Sequence, residues 1–331
     1  MSGPLDTALT RHAGIAAPIV CGAMYPCGNP ELVAAVSEAG GIGIVQPVSI
    51  TYVHGHEFRA GLKYIRSLTS KPIGMNALIE KTSRRYHERM VQWVDVALDE
   101  GVRFFVTSLG DPRWVVLRVH ASGGVVYHDV TEAKWAAKAR DAGVDGLTAV
   151  NSRAGGHAGP RGVQALLDEL RPFGLPIVCA GGVGDAPDFV AALRLGYAGV
   201  QMGTRFIATP ECRASEPYKQ AIVDASEEDV VLTERISGIP VAVLSTPYVR
   251  RVGLRAGPIS RWLLRHPRTK HLMRGLYALR AMRQLKRASL DPNGTFDFWQ
   301  AGKSVGGIHT IEPAGEIVRR FMAAGRELGA G

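Results

Sequence analysis

The sequence predicts an α/β fold, a single TIM-like (β/α)₈ barrel, and three observations carry the prediction. Eight short apolar runs lie between Pro18 and about Ala225, helical stretches separate them, and the residues able to do chemistry cluster at the ends of the runs. The runs are Ile19–Ala23, Gly41–Gln46, Pro72–Ala77, Phe104–Ser108, Val125–His128, Gly146–Val150, Pro176–Ala180 and Gly199–Gly203. Their near-continuous apolar character suits strands buried on both faces. Helical spacing marks Pro30–Ala39, Arg84–Glu100, Thr131–Ala142 and Ala186–Leu195, and glycines such as Gly40 and Gly143 stop helices just before a strand begins. A closed barrel brings all eight strand ends to one mouth, which a doubly wound sheet does not.

The barrel is expected over residues 1–226. Residues 227–331 read as an appended, mainly helical segment: an apolar pair (Val230–Thr233 and Val241–Leu244), a basic helical insertion, the run Phe298–Ile308, and a last helix at about Ala314–Leu328 that packs on the barrel. Leu272, Leu276, Leu279, Met282 and Leu285 recur at helical spacing in the basic stretch, with Arg274, Arg280, Arg283 and Arg287 on other faces.

Composition narrows the class. The 331 residues are 46% hydrophobic and 21% charged, as in ordinary globular proteins. No apolar run is long enough to span a bilayer and the start lacks a signal-peptide pattern, so a cytoplasmic enzyme with no transmembrane segment is expected. The net charge of +9 is concentrated: residues 251–290 hold eleven Lys or Arg and no Asp or Glu, leaving about −2 for the remainder. A local basic segment on a neutral body suits a specific anion, a partner or an acidic membrane surface better than a nucleic acid. Cys21, Cys27, Cys179 and Cys212 show neither paired spacing nor a nearby histidine, so no metal site is expected.

Two glycine-rich turns point to a phosphate. Cys179-Ala180-Gly181-Gly182-Val183-Gly184-Asp185 follows the seventh run and Gln201-Met202-Gly203-Thr204-Arg205 the eighth, where barrels commonly bind phosphate through backbone N–H groups. After the sixth run, Asn151-Ser152-Arg153-Ala154-Gly155-Gly156-His157-Ala158-Gly159 carries one histidine on a glycine-rich loop, a residue whose ordinary pKa suits proton transfer near neutrality. Ala23-Met24, Gln46, Asn76 and His128-Asp129-Val130-Thr131 add amide, carboxylate and backbone groups around the mouth, as a planar heterocycle with ring heteroatoms requires. Gly41-Ile42-Gly43 lacks the third glycine of a dinucleotide fingerprint, and neither a P-loop nor a GxSxG elbow occurs.

Together these motifs resemble the nitronate monooxygenase (2-nitropropane dioxygenase) family, which includes FMN-dependent enoyl-ACP reductases. The resemblance runs from about Ala17 to Ala225, with a weaker tail at Trp299-Gln300-Ala301-Gly302-Lys303-Ser304. Ala154-Gly155-Gly156-His157-Ala158-Gly159 looks like the family's AGGHxG signature, which implies His157 as catalytic base or acid. The resemblance further implies FMN as cofactor, with Ala23, Met24 and Asn76 at its ring, Gly156 beside it, and Gly181, Gly182, Gly203 and Thr204 at its phosphate. Two positions depart from the family pattern: Arg153 stands where a glutamate commonly precedes the signature, and Asn151 where many members have glycine.

The family default is oxidation of a nitronate or nitroalkane with dioxygen. A second reading is reduction or dehydrogenation of an acyl-CoA or acyl-ACP thioester, with NAD(P)H as candidate electron donor. Arg153 and the basic segment favour it, because CoA carries several phosphate charges. A flavin-binding module without turnover is the third. His128, Arg153, Lys303 and Ser304 are the candidate substrate-side residues, the partner expected is a small-molecule substrate, and a homodimer is the candidate assembly.

Overall fold

In the computed structural model, which describes residues 3–80, 83–236, 238–255, 257, 270–291 and 298–328, eight parallel strands close into a barrel in sequence order. They are β1 (Ile19–Cys21), β2 (Ile42–Val45), β3 (Gly74–Leu78), β4 (Phe104–Ser108), β5 (Val125–Val130), β6 (Gly146–Val150), β7 (Ile177–Ala180) and β8 (Gly199–Met202). An antiparallel pair, β9 (Val230–Thr233) and β10 (Val241–Leu244), stands outside the barrel.

Side-chain alternation along each strand sorts the residues into two cores. Val20, Ile42, Ile44, Phe104, Val106, Tyr127 and Val178 form an apolar plug inside the barrel. Their neighbours Met75, Phe105, Val126, Leu147 and Val200 face outward and pack under the helices. Carrying the same alternation toward the mouth brings Gln46, Asn76, Asp129, Thr148 and Gln201 to the inner face, so a polar layer caps the apolar plug. Gly146 shows how tightly the interior is filled, since a Cβ there would fall 2.4 Å from the Tyr127 ring.

All eight strands agree with the sequence runs to within two residues at either end, and the two-residue difference at β5 is the one that matters. The sequence ends that run at His128, whereas pairing with β6 continues through Asp129↔Thr148 and Val130↔Ala149. The interstrand ladder overrides the poor strand propensity of aspartate. His128, adjacent to inward-facing Tyr127, therefore faces the helix layer, and Asp129 takes the inward position.

The division at 226/227 describes chain order rather than separate cores. Helix Ala314–Glu327 packs against both Ala186–Leu195 and Pro30–Glu38, and its Ile317, Val318 and Phe321 belong to the main core. It fills the place of the eighth barrel helix, so the residues from Thr209 to Pro313 are inserted between the eighth strand and the helix that closes the ring. This insertion begins at the mouth. Of the basic segment, 258–269 lie outside the described residues, as do the side chains of Leu272, Arg274, Leu276 and Leu279; helix Lys270–Leu290 is present, with Ala281, Leu285 and Ala288 buried. Among the described residues no helix is long and apolar enough to cross a membrane.

Candidate functional site

A cavity of about 1190 Å³ opens at the C-terminal ends of the strands. Pockets for a single small ligand run to about 300–1,000 Å³, so this one lies slightly above that range. Asp129 and Gln201 of the inner polar layer line its floor. Its walls are the loops after β1, β4, β5, β6, β7 and β8, and Leu285 and Ser289 of the basic helix reach it from the insertion.

The loops after β6, β7 and β8 are held as one unit. Asn151 is fully buried; its Nδ2 donates to the Gly181 carbonyl at 2.9 Å, and its Oδ1 accepts from the Arg153 N–H at 2.8 Å. Gly181 and Gly182 have φ of 115° and 83°, where side chains are strained. A Cβ on Gly181 would also lie 2.5 Å from the Ala154 nitrogen. Across the gap, the Thr204 hydroxyl accepts from the Gly302 N–H at 3.0 Å, and the Lys303 N–H donates to the Arg153 carbonyl at 2.9 Å. Gly302 is needed for that closeness, because a Cβ there would sit 2.6 Å from the Gly155 nitrogen. Ser304 lines the cavity, whereas Lys303 grips the loop through its backbone.

On its other flank the histidine loop is held by β10: the Ala242 N–H donates to the Gly156 carbonyl at 2.8 Å. Between these two supports His157 stands at the cavity with more than a third of its surface open to it. Protein packed around the ring nevertheless lowers its pKa below the ordinary imidazole value, by desolvation of the charged form. His157 is thus neutral at pH 7 and able to accept a proton.

The remaining sequence-derived residues divide. Ala23, Met24, Gly181, Gly182, Gly203 and Thr204 all line the cavity, with Met24 packed toward Gly203. Asn76 lies just beneath in the inner layer, donating to the Val106 carbonyl at 3.3 Å and accepting from Gln46 at 3.5 Å. His128 borders the cavity but is buried, with Nδ1 2.8 Å from the Thr107 hydroxyl. Burial depresses its pKa to about 4, so its ring is uncharged.

Arg153 also borders the cavity, but its guanidinium forks onto Glu227 in a two-pronged ion pair, with Nη1 donating to Oε2 at 2.9 Å. The anion it meets is a carboxylate of its own chain, contributed from 74 residues away. For such a half-exposed pair, Arg153→Ala and Glu227→Ala are each expected to cost about 1 kcal/mol, the double variant costing no more than either. Urea melts of the three variants check this. A loss of CoA-ester affinity in Arg153→Ala but not in Glu227→Ala would instead assign the guanidinium to substrate.

The insertion roofs the loop after β1. Tyr25 Oη donates to the Met282 carbonyl at 3.0 Å, and Trp299 Nε1 donates to the Ala288 carbonyl at 3.0 Å. Trp299 stacks on Tyr218 with centroids 5.4 Å apart. Arg280, Arg283 and Arg287 are exposed on the same helix, so its apolar side, not its basic side, meets the cavity.

Two residues carry more than the sequence assigns them. Asn151, in sequence a departure from glycine, ties two loops together. Asp129, in sequence one of the polar groups around the mouth, is inward-facing on a period-two count from the plug residue Tyr127.

Comparison with known proteins gives a consistent pattern. The family model described as nitronate monooxygenase matches residues 6–323. A curated relative from Rhodococcus jostii (strain RHA1), (3aS,4S,5R,7aS)-5-hydroxy-7a-methyl-1-oxo-octahydro-1H-indene-4-carboxyl-CoA dehydrogenase, is 32% identical over 74% of this chain and 67% of its own. A probable nitronate monooxygenase of Staphylococcus saprophyticus is 27% identical over 75% of this chain and 81% of its own. Among solved structures, FabK from Thermotoga maritima superposes with a TM-score of 0.79 at 28% identity, covering 98% of this chain and 97% of that one.

Proposed function

Because the chain belongs to the nitronate monooxygenase family of flavin-dependent oxidoreductases, we propose that it holds FMN in this cavity and exchanges hydride between the flavin and an acyl-CoA thioester, with His157 handling the proton. The observation that carries the substrate class is the 32% identity, over 74% of this chain, to a carboxyl-CoA dehydrogenase. A cavity of about 1190 Å³, above the usual range for one small ligand, is compatible with that choice.

The residues present fit FMN. The Gly181–Gly182 turn exposes backbone N–H groups beside Gly203 and Thr204 on one side of the cavity, as a phosphate requires. Ala23, Met24 and Asn76 offer contacts to the ring. Asp129 Oδ1 in the floor is buried with no protein partner, a polar atom that a heterocycle can satisfy. When bound, FMN supplies the two-electron acceptor or donor.

The protein's own contribution is positioning and proton transfer. The neutral His157 ring accepts a proton from the carbon next to the thioester carbonyl in the oxidative direction, or returns one there in the reductive direction. The Asn151 and Gly302 contacts fix the histidine loop against the phosphate loops, so base and cofactor share one support. The roof from the insertion limits water at the reacting carbons.

Anaerobic mixing tests the assignment. Bleaching of the flavin by a saturated acyl-CoA identifies a dehydrogenase; bleaching by NAD(P)H with recovery on adding an enoyl-CoA identifies a reductase. Bleaching by propionate 3-nitronate with no response to any CoA ester would return the chain to nitronate oxidation, the reading favoured by the relative from S. saprophyticus.

A further inference from the structure

Asp129 sits on the inner face of β5, two residues beyond the plug residue Tyr127 and level with Thr148 of β6. It lines the cavity, and its Oδ1 is buried without a hydrogen-bond partner. An unmet buried polar atom is costly, so a carboxyl used only for packing would be expected to have both oxygens engaged. Its neighbours in the inner layer, Gln46, Asn76, Thr148 and Gln201, are all uncharged.

Charged and titratable groups do border the same cavity. The loop after β4 supplies Asp111 and Arg113, which pair with each other. The helix after β5 supplies Lys138 and Asp141, and Asp141 pairs with Arg140. From the loop after β6 come Arg153, held by Glu227, and the neutral His157. On β5 itself His128 is uncharged and turned outward. Among the described residues no ion pair reaches Asp129. Burial accordingly raises its pKa to about 7, against a hydrogen bond with Thr148 that pulls the other way.

We infer that Asp129 acts as a carboxylic-acid donor in the cavity floor, giving a hydrogen bond to a carbonyl oxygen of the molecule bound above it. The inference rests on the reading of the cavity as a site for FMN and a thioester, both of which carry such oxygens. As the acid it can donate; as the carboxylate it can only repel the carbonyl. Affinity for the accepting ligand should therefore fall as pH rises through neutrality.

The test uses the full chain and two probes. FMN uptake is followed by quenching of its fluorescence, and benzoyl-CoA, which has the thioester carbonyl but no α-hydrogen, is followed by the absorbance shift of the oxidised flavin. Between pH 6.5 and 8.5 the wild type should lose about tenfold in affinity for the accepting ligand. Asp129→Asn, whose amide donates at every pH, should hold its affinity across that range, and Asp129→Ala should be weak throughout. A loss in the FMN measurement assigns the flavin carbonyl; a loss confined to benzoyl-CoA assigns the thioester. The inference is overturned if Asp129→Asn follows the wild-type pH dependence with both probes. Binding of FMN without benzoyl-CoA would remove the thioester reading and leave the FMN measurement to decide, whereas failure to bind FMN would remove the site reading and this inference together. One check needs no variant: at pH 6.5, ligand binding should lower the infrared C=O stretch of a protonated carboxyl, and an unchanged band also overturns the inference.

Discussion

Replacing His157 by alanine is expected to slow turnover by about 10²- to 10⁴-fold while leaving FMN bound, the usual range for loss of a positioned general acid or base. The two effects separate because the substitution removes only the imidazole. The backbone contacts of the histidine loop to β10 and to the 299–304 run stay in place, as does the Asn151 bond that holds the Gly181–Gly182 turn proposed for the phosphate. The pH profile supplies a second readout. Desolvation lowers the pKa of His157, so the neutral base is present through neutrality and is lost only as pH falls through the depressed value. In the oxidative direction the rate at saturating ligand should therefore be flat around pH 7 with an acid-side fall, and that fall should be absent from the residual rate of the alanine variant. Stopped-flow reduction of the flavin measures both. An alanine variant with wild-type turnover would reject His157 as the proton-transferring group.

The barrel was legible because strands buried on two faces must be apolar along their length, which leaves a simple pattern. What escaped were features decided by partners distant in sequence. The sequence stops β5 at His128 because aspartate disfavours strands; the ladder to β6 carries it through Val130 and turns Asp129 inward. Arg153 reads as a cation awaiting an anion until Glu227, far along the chain, is seen to occupy its fork. The closing helix Ala314–Glu327 is expected to pack on the barrel, as its fully buried Ile317 and Phe321 do; what the long insertion after β8 hides is that it takes the place of the eighth barrel helix. The positions of the candidate site residues at the strand ends were legible for the same reason as the strands, since the topology fixes where a strand end must lie.

That insertion also explains why the mouth is roofed. In a barrel the β8-to-helix connection begins at the catalytic face, so chain added there is delivered over the cavity rather than to the base. Tyr25 and Trp299 fasten the basic helix through backbone carbonyls of Met282 and Ala288. Its apolar residue Leu285 thereby meets the cavity, and Arg280 and Arg283 are exposed on its other faces. Among the described residues the helix lines the cavity with Leu285 and Ser289 rather than with a charged side chain, whereas Arg113 and Lys138 line it from the loop after β4 and the helix after β5.

Gly181→Ala should weaken FMN binding by about 100-fold, or about 3 kcal/mol, while the barrel itself stays folded. Two constraints act together at this residue. Its φ of 115° is strained for any side chain, and the new methyl would approach the Ala154 nitrogen to 2.5 Å and the Asn151 Oδ1 to 2.7 Å. Ala154 is backbone and Asn151 is fully buried, so neither can yield cheaply; the turn must swing out instead. Doing so breaks the Asn151–Gly181 bond and withdraws the amides from the phosphate. Gly156→Ala is the informative contrast. Its φ of 67° is also strained, but the nearest atom to its Cβ is Gln300 Oε1 at 3.9 Å, so strain is present without a clash. Its expected cost is about 1–2 kcal/mol, felt in the position of His157 and hence in turnover more than in FMN retention. Fluorescence titration with FMN and thermal melts of the apoproteins distinguish the two variants. If Gly181→Ala bound FMN as tightly as wild type, the phosphate would have to lie elsewhere, and the turn after β7 would be only a helix start.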